Sequence, residues 1–305
     1  MTKKVYLFTI NYVVPSFKIN SINKKGEFKM NFEENIGKIC IVNGKTVPAE
    51  KLDAYSSDKY TAFYEVIRII KGVPLFFEDH FARLKGSMTK LKYELNSSKK
   101  DIKEQIKLLC EQNGLTECNV KIIVLQNEEE QNILFFINRF YYPSPDEYNN
   151  GVACCTIRLK RKNPNVKMVH AGYKEELQRT VMEKQAFEAL LVNEEGRITE
   201  GGKSNVFFVK GEKIYTAPED FVLIGITRQY VVDVCTKLGY EVIETLIGQD
   251  SLKNFDAAFI TGTSIKVLPV RIIDQGELNS AGNATTQHVM AGYNSLVNAY
   301  INDNL

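Results

Sequence analysis

Near the middle of the chain, Tyr142-Pro143-Ser144-Pro145-Asp146-Glu147-Tyr148-Asn149-Asn150-Gly151 gathers two prolines, two asparagines and a glycine. Proline fixes φ and lacks an amide hydrogen, and Gly and Asn suit turns, so regular structure is expected to break here. With 305 residues the chain is also longer than the roughly 250–300 at which a single core stops growing. At 44% hydrophobic and 25% charged, it has the apolar material for a sizeable core. The expected organisation is a smaller N-terminal α/β domain over 1–142, a linker over 143–150 and a larger C-terminal domain over 151–305. The expected class is mixed, α/β or α+β.

Periodicity fills in the elements. Phe63 to Ile70 is β-branched and aromatic, followed by Gly72 and Pro74, and reads as a strand ending in a turn. Ile102, Ile106 and Leu109 recur at helical spacing between a capping Ser98 and a terminating Gly114. Val120 to Leu125 and Ile133 to Ile137 read as a hairpin of buried strands. In the second half, strands are expected at Val152–Leu159, Ala189–Val192, Asn205–Val209, Ile214–Thr216, Ala257–Ile260 and Val267–Ile273. Helices are expected at about Lys174–Ala189, after Ile226-Thr227 as far as Gly239, and at about Gln287–Ile301. The N-terminal Val5-Tyr6-Leu7 run reads as a first strand, since it is too short for a signal peptide's apolar stretch and no small-residue cleavage site follows.

A net charge of +2 gives no footprint for nucleic acid, and Lys160-Arg161-Lys162 reads as a solvated loop. No apolar run approaches membrane-spanning length. The six cysteines form no C-x-x-C pair and are expected to be reduced and buried, which favours a cytoplasmic location. His80, His170 and His288 are far apart in sequence, so no zinc site is expected.

Two places could bind an anion. Gly225-Ile226-Thr227-Arg228 joins a strand-like run to a helix, where free N–H groups and the helix dipole favour negative charge. Thr227 could equally be a plain cap. Thr261-Gly262-Thr263-Ser264 follows a strand and could curl into an anion-binding nest or be an ordinary turn.

The second half carries, in order, Asn165-Val166-Lys167, Ile198-Thr199-Glu200-Gly201-Gly202-Lys203-Ser204-Asn205-Val206-Phe207, Gly225-Ile226-Thr227-Arg228 and Phe259-Ile260-Thr261-Gly262-Thr263-Ser264. The first half adds Tyr64-Glu65-Val66 and Asp79-His80-Phe81-Ala82-Arg83-Leu84. In these strings the chain resembles the class IV aminotransferases, which work with pyridoxal 5′-phosphate and include branched-chain aminotransferases, D-amino-acid aminotransferases and aminodeoxychorismate lyase. The resemblance runs over about 60–275. It implies the family's two-domain fold with the cofactor in the cleft between domains, and a homodimer acting on small amino and 2-oxo acids.

It also implies roles. Lys167 is the lysine that bonds the cofactor's aldehyde and shuttles the proton, which requires a lowered pKa. Glu200 faces the pyridine nitrogen and keeps it protonated. Arg83, Ile226, Thr227 and Thr263 form the phosphate cup, Arg83 through its fork of donors. Tyr64 lies close to the substrate or is simply a half-buried strand aromatic. Lys121, in Asn119-Val120-Lys121 where branched-chain enzymes have Y-I-R, meets a substrate carboxylate or is solvated.

The chain departs from the family at His170, where many members have Asn, and at Tyr55–Ala62, which replaces an R-G-x-x-F-G-D-G-like run. Gln126 stands where D-amino-acid enzymes carry an arginine. The expected reaction is amino transfer, with a branched-chain-like amino acid as donor. An aminodeoxychorismate-lyase-like elimination and a silent cofactor-binding homologue are the alternatives.

Overall fold

The computed structural model of the chain describes residues 32–305 apart from 58, 170 and 171. The strand expected at Val5–Leu7 and the departure at His170 lie outside the described residues.

The first sheet is built from β1 (Ile39–Val42), β2 (Lys45–Pro48), β3 (Thr61–Ile70), β4 (Val73–Pro74), β5 (Cys118–Gln126) and β6 (Gln131–Asn138), in the order β2-β1-β6-β5-β3-β4. Two helices pack on one face, α1 (Phe77–Lys90) and α2 (Lys99–Asn113). Helix α2 has the cap foreseen: the Ser98 hydroxyl accepts from the Asp101 amide, the Asp101 carboxylate accepts from the Ser98 amide, and Gly114 ends the helix at φ 65°.

Along β3 the side chains alternate between faces. Phe63, Ile67 and Ile69 turn toward α1 and α2 and join Leu84, Met88, Ile102, Ile106 and Leu109 in one core. Glu65 shares their phase and is carried to the helix side. Ala62 and Tyr64 fall on the opposite face, with Ile123, Leu134 and Phe136.

The 143–150 segment is not irregular throughout. Ser144 caps a short helix α3 (Pro145–Asn150), its hydroxyl accepting from the Glu147 amide while Glu147 accepts from the Ser144 amide. Pro145 is tolerated because a first-turn residue needs no amide hydrogen.

The second sheet comprises β7 (Val152–Arg158), β8 (Glu188–Val192), β9 (Arg197–Gly201), β10 (Asn205–Lys210), β11 (Lys213–Thr216), β12 (Glu241–Glu244), β13 (Ile247–Gly248), β14 (Ala257–Gly262), β15 (Lys266–Ile273) and β16 (Gly276–Glu277). Its order is β12-β11-β10-β14-β15-β7-β8-β9-β13, with β16 beside β15. Three helices accompany it: α4 (Tyr173–Glu183), α5 (Ile226–Lys237) and α6 (Ala284–Asn304). Helix α4 is shorter than the Lys174–Ala189 span expected. Gln185 turns left-handed at φ 50°, and the Phe187 amide leaves the helix to bond Ala153 O at 2.7 Å.

The two sheets meet in several places, among them Arg68 Nη1 donating to Ser264 O at 3.0 Å and Asn119 Nδ2 to Ser264 Oγ at 2.6 Å, and one chain connection places Lys167 between them. Strands β7 and β8 are parallel, so the chain must cross over between them. On the way it touches the first sheet: the Tyr64 amide donates to Lys167 O at 3.1 Å and the Val169 amide to Ala62 O at 2.9 Å. Phe63 and Met168 form an antiparallel bridge, and Val166 is buried in the first sheet's core. Lys167 is thereby fixed between the sheets.

Candidate active site

Backbone bonds hold Lys167 on both sides, since its own amide also donates to Ser87 Oγ at 3.2 Å. Its ammonium lies 4.7 Å from the centre of the Tyr64 ring, within cation–π range. Burial lowers its pKa, and the nearby Arg83 and Arg161 push the same way against Tyr64 and Glu65. In turn Lys167 lowers the pKa of the Tyr64 hydroxyl. A lysine with a lowered pKa, held by rigid backbone, suits nucleophilic and proton-transfer work.

Glu200, on β9, is buried. Its Oε2 accepts the Leu223 amide at 3.0 Å and its Oε1 lies 2.9 Å from Arg161 Nε. The arginine is close but not aligned for a hydrogen bond, so both atoms lack an in-line partner among the described residues. Burial raises Glu200 to about 7 despite Arg161 and the Leu223 amide. Arg161 corrects an expectation: rather than standing in a solvated loop, it turns inward, its side chain only 9% exposed, and donates to Gly202 O at 3.0 Å and to the Tyr173 hydroxyl at 3.3 Å. A buried carboxylate is what drew it in.

The glycines after Glu200 let the turn close: a Cβ on Gly201 would sit 2.1 Å from Ser204 Oγ. Glu188 holds this turn from beneath, accepting from the Lys203 amide at 3.2 Å and from the Ser204 hydroxyl at 3.1 Å.

Arg83 faces Glu65 through two parallel bonds, Nε to Oε1 and Nη2 to Oε2, each 2.7 Å. His80, one turn earlier on α1, places Nδ1 2.8 Å from Glu65 Oε2. Burial lowers the His80 pKa and favours the neutral ring, with Nδ1 as the donor to Glu65. The third arm of Arg83, Nη1, donates to Ile224 O at 3.1 Å. A guanidinium has five N–H donors, so two remain for a ligand.

Beside Arg83 is a cavity of about 270 Å³ lined by Ser87, Asn165, Leu223, Ile224 and Ile226. Helix α5 opens onto it without a side-chain cap, its N-cap being Gly225. A Cβ on Gly225 would fall 2.3 Å from Asn205 Oδ1 and would have to displace that side chain. Asn205 also ties the two anion loops together: it pairs with Thr261 across β10 and β14, and its Nδ2 donates to Leu223 O at 2.9 Å. Thr263 sits in the turn after β14, two residues beyond Thr261. Thr227 is buried at the start of α5. Arg228, the last residue of the Gly225 string, points away and pairs with Glu219 and Glu244.

The structure thus brings Lys167, Glu200, Arg83, Tyr64 and the start of α5 together. Lys121 is not solvated: its side chain is 14% exposed and its Nζ lies 2.6 Å from Glu34 and 5.1 Å from the centre of the Tyr64 ring. Sequence reasoning missed Glu65, Arg161, Tyr173 and Glu34. Glu65 carried a signal, being the one charge in the inward phase of Phe63, Ile67 and Ile69.

These residues fit a flat aromatic phosphate ester with a basic ring nitrogen. Uncapped N–H groups beside an arginine suit the phosphate. The misaligned Oε1 of Glu200 suits a cationic ring nitrogen. Thr261 Oγ1 is buried with no hydrogen-bond partner among the described residues, a donor left over in the same loop.

Known proteins agree. The chain is 31% identical to D-alanine aminotransferase of Bacillus licheniformis over 71% of its own length and 80% of the relative's. It is 24% identical to aminodeoxychorismate lyase of Bacillus subtilis, over 73% of this chain and 81% of that one. Among solved structures, the branched-chain amino acid aminotransferase of T.th. with pyridoxamine 5′-phosphate superposes with TM-score 0.76 at 24% identity, covering 87% of this chain and 95% of that one. The Escherichia coli branched-chain enzyme superposes with TM-score 0.74 at 20% identity, covering 86% and 94%. Both share the mixed two-sheet fold. The family model described as amino-transferase class IV matches residues 62–273, and the chain belongs to that family as a pyridoxal-phosphate-dependent aminotransferase.

Proposed function

We propose that this aminotransferase moves the amino group of a branched-chain-like amino acid to a 2-oxo acid, with Lys167 as the catalytic and cofactor-holding residue. One observation carries this reading: the buried Lys167 ammonium, its pKa lowered, lies against Tyr64 with Arg83 and Arg161 both near enough to act on it. Bound there, pyridoxal phosphate supplies an electron-withdrawing ring that stabilises negative charge at the substrate α-carbon.

The chain's own residues do the rest. Lys167 Nζ would take the proton from the substrate α-carbon and hand it to the cofactor's former aldehyde carbon, and in the second half of the cycle, with the 2-oxo acid accepting the nitrogen, would carry a proton the opposite way. Glu200 balances the protonated ring nitrogen. Arg83, the Ile226 and Thr227 amides and the hydroxyls of Thr227 and Thr263 hold the phosphate. Tyr64 walls the substrate side, and Lys121 faces the same ring. Apolar neighbours of Tyr64, among them Phe136 and Val169, favour an apolar substrate side chain.

The reading includes a division of the chain at 143–150 with the cofactor in the cleft, and a cytoplasmic homodimer. All six cysteines are free and buried, which suits a reducing compartment. Phe140, Tyr141 and Tyr142 stand exposed in one run, which suits a partner surface.

The test is the visible spectrum of the protein with added pyridoxal phosphate, followed by single L- and D-amino acids. A visible band is expected, lost in Lys167→Ala, and bleached by branched-chain amino acids. Turnover in Lys167→Ala should fall by at least about the 10²–10⁴-fold that a positioned proton carrier contributes. A wild-type protein without a band would overturn the assignment. Pyruvate released without an amino acceptor would instead support the lyase chemistry.

A further inference from the structure

Glu34 belongs to none of the strings shared with the family, yet its carboxylate pairs with Lys121, which shares the Tyr64 ring with Lys167. Oε2 lies 2.6 Å from Lys121 Nζ, and Oε1 pairs with Lys174 Nζ at the start of α4. The segment bearing it is anchored. The Arg139 amide donates to Glu34 O at 2.5 Å, the Ile36 amide to Ile137 O at 2.9 Å, and Phe32 packs edge-on against Phe136.

Lys121 and Lys167 both lie over the Tyr64 ring, at 5.1 and 4.7 Å from its centre. The cluster that Glu34 closes therefore shares the Tyr64 ring with the reactive amine.

Its charge does not balance. Among the described residues two ammonium groups face one carboxylate, with the side chains of Lys121, Glu34 and Lys174 14%, 20% and 32% exposed. At such partial burial the attraction is stronger than in open water. A buried ion pair adds little net stability, because desolvation offsets the attraction. A clasp made only to hold the chain would be as stable if it were apolar.

We infer that Glu34 is a specificity-determining residue: its carboxylate fills the doubly cationic end of the substrate pocket. A substrate whose side chain ends in a carboxylate must displace Glu34 to reach Lys121 and Lys174. An apolar side chain leaves the cluster undisturbed. The inference rests on the assignment of Lys167 as the reactive lysine.

The experiment compares wild type with Glu34→Gln, which keeps the shape and removes the charge. Glutarate and 4-methylvalerate are titrated calorimetrically into the cofactor-loaded protein, and kcat/KM is measured for glutamate and leucine. Glutarate is expected to bind Glu34→Gln about tenfold more tightly, with 4-methylvalerate unchanged. The glutamate-to-leucine ratio of kcat/KM should rise by a similar factor. Adding Lys121→Met or Lys174→Met to Glu34→Gln should cancel both gains.

If Glu34→Gln lowers only the melting temperature and leaves glutarate binding and the substrate ratio unchanged, Glu34 is a structural clasp and the inference is overturned. The Lys167-dependent visible band is scored on the same samples. Its presence with no glutarate gain sinks this inference alone. Its absence from wild type sinks the functional assignment and the specificity role together.

Discussion

Glu65 and Glu200 are both fully buried and both face an arginine, yet they are held in opposite states. Burial would raise Glu65, but Arg83 and then His80 outweigh it and hold the carboxyl well below its usual range. Burial also raises Glu200, and there it wins, leaving the group at about 7. The difference is alignment. Glu65 meets two in-line guanidinium bonds and an imidazole. Glu200 meets one backbone amide in line and an arginine beside it that is not. Burial alone therefore says nothing about a carboxylate's charge; the number and direction of its donors decide. The Glu65 corner is a closed clamp that fixes Arg83. The Glu200 corner is unfinished, and a cationic ring nitrogen would complete it.

The sharpest way to break this contrast is to remove the clamp. Glu65→Gln leaves Arg83 without its countercharge, and breaking a buried pair costs roughly 3–5 kcal/mol. Denaturant unfolding should show that loss, with weaker cofactor uptake because Arg83 is no longer held beside the cavity. A loss below about 1 kcal/mol would mean the clamp is not closed.

The second test moves to the unfinished corner. Glu200→Gln should lower kcat/KM by about 10²-fold, the scale of removing one electrostatic partner of the reacting group. Its stability loss should be smaller than that of Glu65→Gln, since Glu200 has fewer aligned bonds to lose. Equal stability losses with turnover intact would make the two corners alike.

The sequence made Glu200 readable and hid its partner. Lys167, Glu200 and the Gly225 loop could be placed because their strings are long and fix backbone as well as side chain: a Cβ on Gly201 or Gly225 would have to displace a neighbouring side chain. The period-two pattern of β3 was legible too, and with it the phase of Glu65. Arg161 was not, because nothing in Lys160-Arg161-Lys162 says which cation turns inward; that is settled by Glu200, 39 positions away on another strand. Glu34 meets Lys121 and Lys174 across still longer separations of 87 and 140 positions, which no local pattern encodes. Helix α4 stopped early because the hydrophobic spacing through Phe187 matched a helix while the chain needed that residue's amide for β7.

The smallest effect is the pH dependence of stability without cofactor, and it separates the two glutamates by sign. Native Glu200 holds its proton to about 7, whereas the ordinary value is 4.5. Between those pH values the native chain binds more protons than the unfolded chain, so raising the pH should lower stability. The slope from one such group is at most about 1.4 kcal/mol per pH unit. Glu65 is depressed, so its contribution is present above pH 4.5 and is lost as the pH falls below it. Glu34 adds to that acid limb. Buried Glu188 shares the sign of Glu200, and buried His80 opposes it, so the informative quantity is the difference between wild type and Glu200→Gln. That difference should grow from pH 4.5 to 7 and be flat below. Pyridoxal phosphate should flatten it above as well, because a positive ring nitrogen beside Glu200 lowers its pKa and removes the excess proton. A difference that keeps its slope when the cofactor is bound would mean that the ring nitrogen does not face Glu200.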